Sequence, residues 1–339
     1  MCGIFGCVGE KDVSNLIIKG LKRLEYRGYD SAGLCLETDD RNFEILKSSN
    51  SNYPVDVLTK SLEKSKISSN AGIGHTRWAT HGPINNINTH PHFSYSKNIS
   101  IVHNGIVENY DFLSKFLIRK GVEIYSQTDS ELIAHLVDLM LCSNGNLKSA
   151  IFSVSNMLEG NNTVALMSKE IPKTIFGFTT NSSGGLVVGE KDNYRFLSSD
   201  SYALENFCDS VSFTSKDDLV IISNNTLKII DQNNLPTSPK NINLIKDTKD
   251  NNHEIKDLQT NFIIEKEISE QDIALKKLIT KRILDKPQEA FPEINRHRLL
   301  SSRKIILRVW VLLITLLNMD LYFLKICLKL IQRLNFHRS

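Results

Sequence analysis

The chain has 339 residues, enough for about two domains, and 41% of them are hydrophobic and 23% charged. This composition is ordinary for a globular protein and excludes wholesale disorder, a collagen-like fibre and a disulfide-dense miniprotein. The net charge of +3 is unevenly spread, because residues 294–339 hold nine Lys or Arg and one acid. We therefore expect the last stretch to differ in kind from the body.

Short β-like runs alternate with helical patterns in the first 230 residues, beginning with the small apolar run 3–9. Apolar spacing predicts helices over 13–24, 106–117 and 130–141, the last with Asp129 at its N-cap. The segments with strand patterns are 34–36, 43–46, 71–75, 99–103, 163–167, 173–178, 184–189, 194–199, 218–222 and 226–230. Helices early in the chain and many later strands favour a layered α+β fold.

The cysteines and the first residues exclude several classes of protein. The six cysteines are scattered with no C-x-x-C pair, which argues against zinc ribbons and thioredoxin-type sites and favours free thiols in a reducing, cytoplasmic compartment. Residues 1–12 lack the basic and long apolar regions of a secretory signal. Dinucleotide and P-loop fingerprints are absent from the sequence, and no nucleic-acid partner is expected.

Position 2 is the first candidate for chemistry. If the initiator Met is removed, Cys2 carries a free α-amine, whose pKa of about 7.7–8.0 lies below the value of about 8.5 for the thiol. That amine can act as the base for its own thiol, which makes an N-terminal nucleophile. On position alone an incidental cysteine is the default interpretation, so the assignment depends on the other motifs.

Those motifs follow in order along the chain: CGIFG at 2–6, LEYRGYDSAG at 24–33, HTRWATHG at 75–82, HPH at 90–92, HNGIVENY at 103–110 and SQTDSE at 126–131. Together they resemble the glutaminase half of the glutamine–fructose-6-phosphate aminotransferase family, which belongs to the class II glutamine amidotransferases. The likeness covers residues 2–230, with a fainter echo to about 280. It implies a four-layer αββα N-terminal-nucleophile hydrolase sandwich, followed by a linker and a helical tail.

The resemblance also implies catalytic roles. Cys2 would attack the side-chain amide of glutamine and form a thioester with release of ammonia. The Asn104 side chain and the Gly105 backbone N–H would form the oxyanion hole, where one donor is worth about 2.7–4 kcal/mol of barrier. An N-G dipeptide is otherwise usually a turn.

The substrate-binding residues come from the same resemblance. Arg77 would hold the α-carboxylate of glutamine, since its planar fork suits bidentate contact, and Asp129 would pair with the α-ammonium. The segment 77–82 would form a lid that includes Thr80 and His81, with Trp78 gating an ammonia path. Outside such a motif, Arg77 is an ordinary surface charge, Trp78 a core aromatic and Asp129 a helix cap.

Five histidines surround these motifs, namely His75, His81, His90, His92 and His103. A metal site would need three or four ligands with supporting contacts. The resemblance implies no metal and no cofactor, so we interpret the histidines as hydrogen-bonding residues that support the structure or position the substrate or lid. One departure lies nearby, because Asn162 stands where the family usually has the tyrosine of Gly-x-Tyr; a second replaces the family's Arg-x-Gly-Ser-Pro-Leu at 181–186.

The domain prediction divides the chain into a glutaminase domain at 1–230, a linker and helical connector at 231–285, and a basic, apolar tail at 286–339. The family's sugar-phosphate cradle has no match in 284–339. Three hypotheses for the tail stay open: a frameshifted end, a membrane-associated or partner-binding helix, and a terminal helix pair packed on the body. The apolar run 309–319 is short of the roughly 20 residues of a membrane span.

The expected function is hydrolysis of glutamine at Cys2. Fructose 6-phosphate would be a partner only if a sugar domain is supplied, so sugar amination by this chain is not expected. Two alternatives remain: a non-catalytic glutamine-binding or regulatory module, and a glutaminase that serves a different acceptor enzyme. The oligomeric state is open, with a monomer compatible with loss of the sugar half.

Overall fold

Two antiparallel sheets lie at the centre of the described part of the chain. The computed structural model describes residues 2–49, 51, 53–79, 82–180, 185–237, 239–243, 271–273 and 276. The eight strands of the larger sheet are β1 (Gly3–Gly9), β2 (Ser31–Glu37), β3 (Phe43–Ser48), β4 (Ala71–Arg77), β9 (Val187–Lys191), β10 (Tyr194–Ser198), β11 (Ser210–Phe213) and β14 (Lys240–Asn243). Their order across the sheet is β14-β11-β9-β10-β1-β4-β2-β3.

The smaller sheet has six strands: β5 (His92–Phe93), β6 (Ile99–Gly105), β7 (Asn162–Ser168), β8 (Ile171–Thr180), β12 (Leu219–Ser223) and β13 (Thr226–Ile230). Their order is β13-β12-β8-β7-β6-β5. The two sheets face each other, since β1 and β4 of the larger sheet contact β6 and β8 of the smaller one. The site described below lies where strands from both sheets end.

Helices cover both outer faces of the sheet pair. The helices are α1 (Ser14–Leu24), α2 (Pro54–Ser65), α3 (Tyr110–Arg119), α4 (Ser130–Asn144) and α5 (Leu147–Met157). α1 and α2 pack on the larger sheet, α4 and α5 pack on the smaller sheet, and α3 packs against α4. The architecture is therefore the four-layer αββα sandwich that the sequence resemblance implies.

Three apolar cores separate the four layers. Phe5 of β1 packs with Ile17 of α1 in the core outside the larger sheet, and its neighbour Ile4 packs with Ile175 between the sheets. Leu132 of α4 belongs to the third core, outside the smaller sheet. Because adjacent side chains of β1 point into different cores, all seven residues of that strand are buried.

The helix predicted over 106–117 begins later, at Tyr110. β6 continues through Gly105, where Asn104 and Gly105 still pair with Thr163 and Asn162 of β7. Residues 106–109 are held outside the helix, because the Val107 N–H donates to Asp129 Oδ2 and the Glu108 N–H donates to the Glu159 carbonyl oxygen. The predicted helix is therefore present but displaced, over Tyr110–Arg119 rather than directly after Gly105.

Two helices were not predicted from the sequence. α2 begins with Pro54 in its first turn, a favoured position for proline, and buries Val55, Leu58 and Leu62. α5 begins after Asn146, whose side-chain oxygen accepts the N–H groups of Lys148 and Ser149. Both helices follow ordinary start signals and present an apolar face to a sheet.

The described residues from 2 to 243 belong to one compact unit. β14 lies beyond residue 230 and pairs with β11. Part of the segment predicted as a linker is therefore a strand of the larger sheet. The predicted tail at 286–339 lies outside the described residues. None of the helices in the described part of the chain combines the length and apolar character that a membrane crossing needs.

Candidate active site

Cys2 lies beside the end of β4, because β1 and β4 pair with Gly3 opposite Thr76. Its Sγ accepts the backbone N–H of Trp78 at 3.3 Å and lies 3.5 Å from the Trp78 carbonyl oxygen. Burial raises the pKa of the Cys2 thiol, while the Trp78 N–H and Arg77 act to lower it. The resting sulfur is therefore a thiol at neutral pH and needs a base to become a nucleophile.

Asn104 and Gly105 reach the same place from the end of β6. Asn104 Nδ2 donates to the Cys2 carbonyl oxygen at 3.1 Å. This hydrogen bond joins the end of β6, in the smaller sheet, to the residue that directly precedes β1. Gly105 has φ of +140°, and a Cβ there would lie 2.1 Å from the Asn161 carbonyl oxygen. Only glycine fits this backbone, which places an N–H next to the Asn104 amide.

Arg77 is a buried cation at the end of β4, only 4% exposed. Its Nη1 donates to the Pro83 carbonyl oxygen at 3.4 Å. Burial lowers the pKa of the guanidinium, and the nearby Cys2, Asp30 and Asp129 act to raise it. Arg77 thus lies in the electrostatic field of both the candidate nucleophile and the candidate ammonium partner.

Asp129 directly precedes α4, as predicted, but its carboxylate does not cap that helix. Oδ2 instead accepts the N–H of Val107 at 2.8 Å, and Oδ1 accepts the Ser130 hydroxyl at 3.3 Å. The carboxylate is 7% exposed and joins the start of α4 to the loop after Gly105. A carboxylate with two oxygens and such partners keeps lone pairs for a cation.

Comparison with known proteins agrees with this arrangement. Residues 75–205 match the family model of the glutamine amidotransferase domain. The glutamine–fructose-6-phosphate aminotransferase [isomerizing] of Clostridium perfringens (strain 13 / Type A) is 32% identical over 295 residues, 87% of this chain and 46% of that protein. The Bacteroides thetaiotaomicron enzyme of the same name is 37% identical over 242 residues, 71% of this chain and 39% of that protein. These matches show that the chain contains a class II glutamine amidotransferase domain.

The chain spans less than half the length of these two relatives. Among solved structures, the glutamine phosphoribosylpyrophosphate amidotransferase of B. subtilis, complexed with ADP and GMP, aligns with a TM-score of 0.57. That alignment covers 67% of this chain and 48% of the other at 22% identity, so it bears on the fold alone. The predicted family and the predicted four-layer αββα fold are both confirmed.

Four buried histidines belong to the motifs around the candidate site: His75, His90, His92 and His103. The rings of His75 and His90 stack with centroids 4.1 Å apart. Burial lowers the pKa of all four, that of His75 to about 3. Neutral imidazoles are hydrogen-bond donors at one nitrogen and acceptors at the other, so these rings can bridge polar groups inside the sandwich.

His103 makes such a bridge between the start of β7 and the start of α4. Its Nε2 lies 2.9 Å from Asn162 Oδ1, and its Nδ1 lies 2.8 Å from Ser130 Oγ. Asn162, the departure from the family's Gly-x-Tyr, is therefore a partner of the histidine cluster. Within the described ranges, no group of three or more His, Cys, Asp or Glu side chains is arranged to hold a metal ion.

The lid segment is only partly described. Trp78 is 45% exposed and packs edge-on against Tyr29, with ring centroids 5.6 Å apart. Thr80 and His81 lie outside the described residues. Asp30 is a residue to which the sequence analysis assigned no role: its Oδ2 accepts the Ala79 N–H at 2.8 Å and its own N–H donates to the Arg77 carbonyl oxygen. The position of Asp30 within the motif LEYRGYDSAG was the signal that could have identified it from the sequence.

Proposed function

We propose that the domain hydrolyses glutamine to glutamate and ammonia, with Cys2 Sγ as the nucleophile. One observation carries the proposal. The Asn104 amide donates to the Cys2 carbonyl oxygen at 3.1 Å, and the Trp78 N–H donates to Cys2 Sγ. Nucleophile and oxyanion donor thus lie at neighbouring strand ends. The family membership supports glutamine as the substrate.

The reaction begins with removal of Met1, which leaves the Cys2 α-amine as the base for the thiol. The amine takes the thiol proton, and Sγ attacks the amide carbon of glutamine to give a tetrahedral oxyanion. Asn104 Nδ2 carries two N–H groups, so it can keep the Cys2 carbonyl and still donate to the oxyanion together with the Gly105 N–H. The protonated amine then gives its proton to the leaving nitrogen, which departs as ammonia.

The thioester left on Cys2 is resolved by water. The same amine accepts a proton from that water, and the second oxyanion forms in the same hole. Collapse releases glutamate and returns the proton to sulfur. Because burial raises the pKa of the thiol, the reaction depends on this paired base rather than on a resting thiolate.

Substrate selection follows from charge. The Arg77 guanidinium would bind the α-carboxylate of glutamine, and the Asp129 carboxylate its α-ammonium. Arg77 lies close enough to Asp129 for the carboxylate to raise its pKa, which suits two partners of one amino-acid head group. Free ammonia lacks this head group, whereas glutamate carries it but lacks the side-chain amide that Cys2 would attack.

The acceptor of the ammonia is a separate question. The relatives' names join glutamine to fructose 6-phosphate. The groups around Cys2 match glutamine, and fructose 6-phosphate has no assigned site among the described residues. We therefore expect added fructose 6-phosphate to leave the rate of glutamate release unchanged.

The test measures glutamate release from glutamine by the untagged chain. We expect turnover in the native chain and none in Cys2→Ala or in protein with a blocked Cys2 amine. Cys142→Ala is the matched control, since Cys142 is an exposed free thiol on α4 and should leave turnover unchanged. Full activity with a blocked amine would contradict the mechanism, and glutamine binding without turnover would favour a non-catalytic module.

A further inference from the structure

His75 is a buried side chain that the mechanism above does not use. It lies on β4, two residues before Arg77, and is fully inaccessible to solvent. Its Nε2 lies 3.0 Å from Asn104 Oδ1 and 3.0 Å from the His103 carbonyl oxygen. One ring nitrogen therefore contacts the side chain of the candidate oxyanion donor and the backbone just before it.

The chemistry of the neighbours determines where the proton lies on this ring. The Cys2 carbonyl can only accept, so the Asn104 atom that faces it must be the amide nitrogen. The amide oxygen then faces His75, and both this oxygen and the His103 carbonyl require a donor. His75 is consequently the neutral tautomer with hydrogen on Nε2 and a lone pair on Nδ1.

The surroundings keep the ring in that state. Nδ1 is buried and has no hydrogen-bond partner among the described residues, so a proton there would have no acceptor. The groups that face the ring also disfavour a positive charge on His75. These groups are His90, whose ring centroid lies 4.1 Å away, His103 and the Arg77 guanidinium. Burial accordingly lowers the pKa of His75 to about 3.

The orientation of the Asn104 amide matters for the reaction. Rotated by half a turn, the same side chain would present its oxygen to the oxyanion and oppose the negative charge instead of stabilising it. A side-chain amide by itself has little preference between these two orientations, since its last torsion is broad.

We propose that His75 is a positioning residue for the oxyanion hole, whose Nε2–H locks the Asn104 amide with its nitrogen toward Cys2. The inference rests on the proposed glutaminase function, because it assigns Asn104 a role in that reaction. It adds a residue to the site that touches neither the substrate nor the nucleophile.

The first experiment compares His75→Leu, which removes the donor, with His75→Gln, whose amide can place an N–H near the position of Nε2. We expect His75→Leu to lower kcat for glutamate release by about 100-fold, as for loss of an oxyanion donor, with KM within about threefold. His75→Gln should recover most of that loss. His135→Leu is the control, because His135 is an equally buried histidine that bonds Tyr95 and Glu131 instead.

Alkylation of Cys2 by iodoacetamide separates positioning from damage to the nucleophile. Displacement of iodide by sulfur forms no oxyanion, so its rate should be the same in the native chain and in His75→Leu. An alkylation rate that falls in parallel with kcat would overturn the proposal, as would an unchanged kcat in a folded His75→Leu.

A second measurement does not depend on turnover or on the fold of a variant. Nitrogen-15 NMR of histidine-labelled native chain should show His75 as the Nε2–H tautomer from about pH 8 down to about pH 5. An Nδ1–H tautomer or a titrating His75 would overturn the inference. Absence of glutamate release with the Nε2–H tautomer intact would contradict the proposed function and leave the contact between His75 and Asn104 supported.

Discussion

Charge near Cys2 comes from a small number of side chains on neighbouring strand ends. Arg77 is the buried cation, and Cys2, Asp30 and Asp129 all lie within its electrostatic reach. Asp30 also holds the backbone on both sides of Trp78, through the Arg77 carbonyl oxygen and the Ala79 N–H. Asp30 thus fixes the backbone around Arg77, the side chain proposed to bind the substrate.

Replacement of Arg77 by lysine tests this assignment. Lysine keeps the positive charge but loses the planar fork, so one charge-assisted hydrogen bond to the α-carboxylate should be lost. We expect Arg77→Lys to raise KM for glutamine by about tenfold, which corresponds to about 1.4 kcal/mol, with kcat changed by less than about threefold.

Steady-state kinetics of glutamate release provide the measurement. Arg23→Lys is the matched control, because Arg23 is a partly exposed arginine that pairs with Glu205 on the outer side of α1. An unchanged KM in Arg77→Lys would remove Arg77 from carboxylate binding.

Among the secondary-structure elements, the end of β6 carries the most constraints. It pairs with β7 through Gly105, it receives the His75 donor at the His103 carbonyl, and its following loop is held by Asp129 through Val107. These contacts come from a strand, an opposite sheet and a helix start. Together they fix the positions of Asn104 and Gly105, and preorganised donors of this kind are what the proposed oxyanion hole requires.

Gly105→Ala should disturb this element more than an equivalent change elsewhere. A Cβ at Gly105 meets the Asn161 carbonyl oxygen at 2.1 Å, and φ of +140° is itself unfavourable for alanine. We expect a loss of about 3 kcal/mol of unfolding free energy together with a fall in kcat.

Gly121→Ala is the control for the backbone angle alone. Gly121 has φ of +80° and nothing within 4 Å of an added Cβ, so we expect a loss of about 1 kcal/mol and an unchanged kcat. Urea unfolding and glutamate release measure both quantities. Equal effects of the two substitutions would contradict a role for the close approach to Asn161.

At the level of the whole molecule, the histidine cluster spans the contact between the two sheets. His75 belongs to β4 of the larger sheet, while His92 and His103 belong to β5 and β6 of the smaller sheet. Burial lowers the pKa of each ring below its ordinary value of about 6.5. Protonation of these rings is therefore coupled to their exposure to solvent on unfolding.

We expect the fold to lose stability steeply on acidification. Below about pH 6.5 the unfolded chain binds protons at these histidines and the folded chain does not, so the unfolding free energy falls as pH falls. Each buried histidine contributes up to about 1.4 kcal/mol per pH unit, until the pH reaches its folded pKa. For His75 that limit is about 3.

Urea unfolding between about pH 7 and pH 5 measures this slope. His75→Gln should reduce it by up to about 1.4 kcal/mol per pH unit, because one titrating group is removed. A stability that stays flat over this range would mean that the histidines are already protonated in the folded chain or are solvated there.

Local sequence patterns predicted where α1 and β1 lie along the chain, but not which strands β1 pairs with. α1 was predicted over 13–24 and observed at Ser14–Leu24, since its apolar residues recur at helical spacing. β1 shows no alternation, because both its faces are buried. Its place in the larger sheet follows from pairing with β4 and β10, which are distant in the sequence.

The sequence by itself determined the family and the residue types of the candidate site, because its motifs are long and contiguous. The tertiary structure decided how those residues are used. The Asp129 carboxylate accepts the Val107 N–H instead of capping its own helix, and His75 contacts Asn104, which lies 29 positions away in the sequence. Such partners are set by the packing of elements that are distant in the sequence, and a local pattern does not contain these long-range contacts.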